Sequence, residues 1–134
     1  MSDGDVAVFR RFQAAWSEGD LETALSLVEP DVVAEPLHGA LYSRQEYRGR
    51  DGIAEWHREM TEPSDRFETI VEDAVATPEG VIGVLRLVAH RGDERLHARV
   101  GAVFELRDGR IARLRPRNAS AAERDIARAR GEPE

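Results

Sequence analysis

The stretch VIGVLRLVAHRGDERLHARVGAVFELRDGRIARLRP, residues 81–116, reads as three consecutive β-strands: Val81–His90, Arg95–Leu106 and Arg110–Pro116. In the middle one, Leu96, Ala98, Val100, Ala102, Phe104 and Leu106 alternate with His97, Arg99, Gly101, Val103 and Glu105, the period of a half-buried strand. Arg91-Gly92-Asp93-Glu94 turns the first pair, and Arg107-Asp108-Gly109-Arg110 turns the second with an Asp-Gly hairpin signature. An antiparallel meander follows, and the rest of the chain is cover for it.

The cover begins with an amphipathic helix from Asp5 to Glu18, in which Val6, Phe9, Phe12 and Trp16 share a stripe behind a cap at Asp3 or Asp5. Gly19 closes it. Asp20 caps a second helix, where Leu21, Ala24, Leu25 and Val28 recur at helical spacing until Pro30 forbids continuation. Asp31 to Leu37 is extended, since a residue before proline leaves the helical region, and Pro36 marks an edge or an end. His38 to Gln45 is turn-like. Tyr47-Arg48-Gly49-Arg50-Asp51-Gly52-Ile53 feeds a third helix with Ile53, Trp56 and Met60 as its buried stripe, stopped by Pro63. Phe67 to Ala76 is a further strand, ending at the turn Thr77-Pro78-Glu79-Gly80. Ser120-Ala121-Ala122-Glu123 is a capping box opening a short C-terminal helix to Arg130, with frayed ends at 1–4 and 131–134. The expected order is helix, helix, strand, helix and four strands: an α+β domain spanning 1–134, its curved antiparallel sheet covered on the concave face by three helices.

Composition excludes several chemistries. The chain has no cysteine, so it has no disulfide, thiolate nucleophile or cysteine-based metal site. All 19 basic residues are Arg, which rules out a Schiff-base lysine and a Walker-type phosphate loop. No Gly-x-Ser-x-Gly elbow, Gly-x-Gly-x-x-Gly or His-Glu-x-x-His motif is present, so the reading needs no metal and no cofactor. The longest apolar run, Val81 to Leu85, is too short to span a bilayer and the N-terminus is acidic, so a cytoplasmic location is expected. The net charge of −7 divides unevenly: Met1–Leu85 holds 18 acids and 7 Arg, whereas Arg86–Glu134 holds 8 acids and 12 Arg. Those arginines alternate with apolar residues on strands, as in Arg113-Leu114-Arg115-Pro116-Arg117. They are expected to coat the outer face of the sheet, pairing with acids or a second subunit. No groove-reading helix or interleaved aromatics accompany them, so nucleic acid is not an expected partner.

Three segments in order resemble the nuclear transport factor 2-like superfamily, in its SnoaL-like polyketide cyclase and ketosteroid isomerase branch. They are Phe9-Arg10-Arg11-Phe12 through Trp16-Ser17-Glu18-Gly19-Asp20-Leu21; Tyr47 through Ile53; and Phe104-Glu105-Leu106-Arg107-Asp108-Gly109-Arg110-Ile111 with Leu114-Arg115. The resemblance implies a cone-shaped domain whose helices and concave sheet enclose an apolar pocket, in a homodimer packed through the convex face. Pocket candidates are Phe12, Trp16, Leu37, Trp56, Val100, Ala102, Leu114 and Pro116. The competing reading is that these side chains fill a solid core.

Glu35 is the candidate catalytic residue. Strand phase groups it with Val33 and Leu37; if those face inward its carboxylate does too, suited to general acid or base work. Ketosteroid isomerases place an Asp before a Pro at the corresponding strand, which Glu35-Pro36 resembles. Their enolate donors, a first-helix Tyr and a protonated Asp, are matched here by Phe12 and Ala102, which donate nothing, so steroid isomerisation by that mechanism is not expected. The alternative for Glu35 is a rim carboxylate paired with an Arg. Arg86 faces in or out according to whether the loop at Gly92-Asp93 holds two or three residues; facing in, it would bind an anionic or carbonyl oxygen. Tyr42 and Tyr47 offer a phenol at the mouth, while His57, His90, His97 and His38 are read as rim or surface groups. Three functions remain: a domain binding a small apolar or polycyclic ligand; an isomerase, cyclase or hydratase using Glu35 and no cofactor; and an epoxide hydrolase-like enzyme, which requires an Asp-Arg-Asp-like cluster around a water.

Overall fold

In the computed structural model, which describes residues 3–35 and 46–131, the meander forms as its turns require. Asp108 and Gly109 both take positive φ, 53° and 79°, the combination that a two-residue hairpin matching strand twist demands. The other hairpin also turns on two residues, Gly92 and Asp93, which sets Arg86 opposite Arg99 along the full length of the strand pair.

The elements run α1 (Asp3–Glu18), α2 (Leu21–Ser26), β1 (Val28–Ala34), β2 (Tyr47–Arg48), α3 (Gly49–Thr61), β3 (Arg66–Ala76), β4 (Gly80–Arg91), β5 (Glu94–Arg107), β6 (Arg110–Arg117) and α4 (Ala119–Ala129). The six strands make one sheet in the order β2-β1-β6-β5-β4-β3. Every pairing is antiparallel except β1 with β6, so the sheet is mixed rather than wholly antiparallel. Register breaks at Val71/Asp73, at Glu105/Leu106 and between Val28 and Val33 bend it.

Several local expectations are corrected. The second helix ends at Ser26 instead of reaching Pro30, because Val28 pairs with Ile111 and the Ile111 amide donates to the Leu27 carbonyl at 2.8 Å. Strand pairing overrides helical spacing there, and Pro30 falls in the stretch between Val28 and Val33 where no partners are in register. Tyr47 and Arg48, the start of the segment that feeds α3, form a two-residue strand against Ala34 and Val33. Asp3 lies inside α1 rather than ahead of it, while Asp20 does cap α2, accepting from the Thr23 amide. The cap of α4 is Asn118, which accepts from the Ser120 and Ala121 amides; Glu123 reaches Arg99 instead of closing a capping box. The alternation of β5 buries side chains only from Val100 onward. Leu96 is 56% exposed, as the β4–β5 hairpin runs past the helices.

Helices α1 and α3 cover one face of the sheet, burying Phe9, Phe12, Trp16 and Ile53 against Val81, Leu85, Phe104 and Leu114. Each such side chain adds about 1.5–3 kcal/mol relative to exposure. Helix α4 lies on the other face, where Ala122 and Ile126 pack on Val84. Two glycines permit these approaches. A Cβ on Gly83 would sit 2.6 Å from Phe9 Cζ, and one on Gly101 would sit 2.7 Å from Ala122 Cβ.

The outer face carries several arginines held on carboxylates. Glu72 accepts from Arg86 at 3.1 Å and from Arg99 at 2.9 Å, and Arg99 continues to Glu123 at 2.6 Å. Arg117 bonds Asp125 at 2.6 Å, and Arg130 holds Asp73 with two bonds. The Arg99 hydrogen bond holds Glu72 below its ordinary value, and Arg130 does the same to Asp73.

Candidate functional site

The inner stripe of α1 decides what the covered face encloses. Phe9, Phe12, Gln13 and Trp16 fall at i, i+3, i+4 and i+7, and all four are buried. The Phe12 ring meets Phe104 edge-on at 5.5 Å and Trp16 at 5.3 Å. Trp16 meets Trp56 of α3 at 5.1 Å, and its indole N–H points at the Met60 sulfur, 3.4 Å away. His57 braces the same ring, with Nε2 3.1 Å from the Trp16 carbonyl and the imidazole edge-on to the indole, so its place is in the wall.

These aromatics do not close on the sheet completely. Between them and β4, β5 and β6 lies a partly open cavity of about 80 Å³. Phe12, Trp16 and Trp56 border it from the helices, and Val100, Ala102, Leu114 and Pro116 from the sheet. Seven sequence-predicted residues therefore come together. Leu37 and Tyr42, with Pro36 and His38, lie outside the described residues. The cavity is well below the roughly 300–1,000 Å³ of drug-sized pockets.

Two expected contributors are elsewhere. Arg86 lies on the outer face with Glu72, because the two-residue loop fixes the register that puts Leu85 and Leu87 inward. Tyr47 is fully buried beside the cavity rather than at its mouth; its ring stacks on Trp56 at 5.9 Å and its hydroxyl donates to Glu59 at 2.7 Å.

Glu35 borders the cavity, but its carboxylate is engaged behind the wall. The phase of β1 is the reverse of the one that would carry it in: Val32 and Ala34 are buried, and Ala34 pairs with Leu114 of the cavity wall. Val33 pairs with Arg113, so by alternation Glu35 and Arg113 share the opposite face. Arg113 donates to Glu35 through Nε at 3.0 Å and through a terminal nitrogen at 2.6 Å, and the bond raises the Arg113 pKa further. Among the described residues, Glu35 and Arg115 are the only charged residues bordering the cavity, and no three His, Asp or Glu side chains converge.

Sequence reasoning passed over Gln13. It borders the cavity, only 4% exposed, and among the described residues its side-chain amide makes no hydrogen bond. Its signal was available: a polar residue in the i+4 slot of an otherwise apolar stripe. Two buried N–H groups of cavity-bordering residues have no hydrogen-bond partner, the Trp56 indole and Arg115 Nε.

A mixed sheet packed against two aromatic helices, with a small cavity between the layers, is an α+β arrangement. Residues 9–114 match the SnoaL-like domain, and the chain belongs to that family. A protein of Mycobacterium tuberculosis is 31% identical over 114 residues, spanning 84% of this chain and 86% of its own length. Among solved structures, TerC co-crystallised with polyporic acid superposes with a TM-score of 0.77 at 15% identity, over 94% of this chain and 99% of that one. An LEH-like epoxide hydrolase of M. tuberculosis superposes at 0.68 and 22% identity, over 96% and 92%. Both likenesses are of fold. No helix among the described residues is long and apolar enough to cross a membrane.

Proposed function

We propose that the protein binds a small, largely apolar molecule between α1, α3 and the sheet. The supporting observation is the cavity itself: space left among Phe12, Trp16, Trp56, Val100 and Ala102, where side chains of this size ordinarily close-pack. TerC, of the same fold, was co-crystallised with polyporic acid, which agrees with a ligand-binding reading. The volume favours one ring or a short chain over the polycyclic ligand expected from sequence.

A reaction at Glu35 is the second reading, favoured by its place on the cavity border and opposed by its bond to Arg113. The epoxide hydrolase reading has a solved neighbour in its favour, yet one carboxylate at the border among the described residues falls short of the cluster that chemistry requires. Pairing of two copies through the outer face that α4 leaves open belongs to the same proposal; a monomer mass at micromolar concentration would remove it.

A thermal-shift screen of carbonyl, aromatic and epoxide compounds tests the binding reading. A ligand at a hundred times its dissociation constant adds about 2.7 kcal/mol, several degrees in a domain of this size. Compounds that protect the wild type but not Ala102→Leu, which fills the cavity, support it. No protection by any compound overturns it.

A further inference from the structure

Gln13 is anomalous in its own surroundings. It sits on α1 between Phe12 and Trp16, is 4% exposed, and borders a cavity whose other walls are chiefly hydrocarbon. Its backbone carbonyl is engaged, accepting from the Thr69 hydroxyl at 3.1 Å, and that hydroxyl lies 3.1 Å from Ser17 as well. Among the described residues its side-chain amide has no protein partner. Its polar atoms keep a little accessible surface at the cavity and no protein hydrogen bond, so they are open to an occupant, where a Met of the same length would present only hydrocarbon and sulfur. A polar group held in the core against local preference marks a functional position.

We infer that Gln13 is the specificity-determining residue of this cavity, and that its ligand is a neutral, compact molecule, a single ring or short chain, bearing one carbonyl or hydroxyl oxygen. This rests on the binding reading above and refines it. The amide offers both a donor and an acceptor, so it serves a ketone through N–H and a phenol or alcohol through C=O. A charged ligand is disfavoured because both charged residues at the border among the described residues are paired, Arg115 3.4 Å from Glu105 and Glu35 held by Arg113, although Arg115 Nε keeps an N–H without a hydrogen-bond partner. The indole N–H of Trp56, buried and unmatched at the same cavity, is a second donor available to such an oxygen. The aromatic walls accept the hydrocarbon remainder.

The probes are cyclohexanone and 4-methylphenol, each compared with its oxygen-free counterpart, methylcyclohexane or toluene. Binding is followed by the side-chain amide resonances of Gln13 in the 15N-labelled protein and by melting temperature. In the wild type the oxygenated member of each pair binds about tenfold more tightly, as one added hydrogen bond allows, and the Gln13 resonances shift with it. In Gln13→Met the preference disappears, hydrocarbon binding persists, and the unliganded protein melts at or above the wild-type temperature. Equal affinity for both members in the wild type overturns the assignment to Gln13 while leaving the binding reading intact. So does an undiminished preference in Gln13→Met, or a Gln13→Met protein that melts several degrees lower, which would mark the amide as a structural bond. Binding of no probe overturns both.

Discussion

The Glu35 carboxylate is 2.6 Å from the Arg113 guanidinium, and this ion pair lies one residue out of phase with the cavity wall formed by Ala34 and Leu114. Both partners are over a third exposed or close to it, 40% and 33%, so solvent screens the pair. Glu35→Gln should therefore cost no more than about 1 kcal/mol and shift the melting temperature by a few degrees at most. Ligand protection should be unchanged. Any turnover that vanishes in Glu35→Gln would instead establish the carboxylate as an acid or base that leaves Arg113 to act.

The phase of β1 shows what the sequence could and could not say. The meander was readable because two hairpin signatures flank a strand of strict period two, and the hydrophobic stripes of α1 and α3 named Phe12, Trp16 and Trp56 as inner residues. The segment Val28–Glu35 was not readable. It offers three β-branched residues and one proline, and its register depends on β6, about eighty residues later in the chain. A slip of one residue reversed the facing of Glu35. Arg86 was undecided for a related reason: both faces of β4 are apolar, one lining the cavity and the other receiving α4. Gln13 was missed because stripes are sought among apolar residues, which hides a polar residue inside one.

Packing around the cavity predicts unequal responses to substitution on its two walls. Trp16→Ala removes a ring that contacts Phe12, Trp56 and His57, and a cost of about 3–5 kcal/mol is expected. Ala102→Leu adds volume beside about 80 Å³ of unfilled space. It should cost less than the roughly 1–3 kcal/mol of ordinary overpacking, while abolishing ligand protection. Urea unfolding of the two variants measures the difference. Equal destabilisation would mean that Ala102 abuts a filled core.

Gly101 and the docking of α4 can be tested without touching the cavity. A Cβ there would meet the Ala122 methyl at 2.7 Å and the Arg117 carbonyl at 2.8 Å, neither of them the end of a flexible side chain. Gly101→Ala should destabilise by about 1–3 kcal/mol through displacement of α4. Hydrogen exchange should then quicken first at the amides of Ala122 to Arg130, whose bonds belong to that helix and its cap. Uniform loss of protection would show instead that α4 unfolds only with the sheet.

The outer-face pairs set the acid limit of stability. Glu72 is held below its ordinary 4.5 chiefly by the Arg99 hydrogen bond, Glu68 chiefly by the bond to His90, and Asp73 below 3.8 chiefly by Arg130. A carboxylate whose folded pKa is depressed contributes stability that is present above its unfolded value and lost as pH falls through its folded one. The melting temperature should therefore change little through these groups from neutral pH down to about 5, then fall as pH drops below the ordinary values of 4.5 and 3.8. Glu72→Gln should remove part of this acid sensitivity: its melting temperature would lie below wild type at pH 7 and approach it at pH 3. The pairs are exposed, so the gap should shrink in high salt as well. Melts at pH 7 and pH 3, with and without added salt, decide the matter. A gap between Glu72→Gln and wild type that stayed constant with pH would assign the effect to packing of the side chain instead of to its charge.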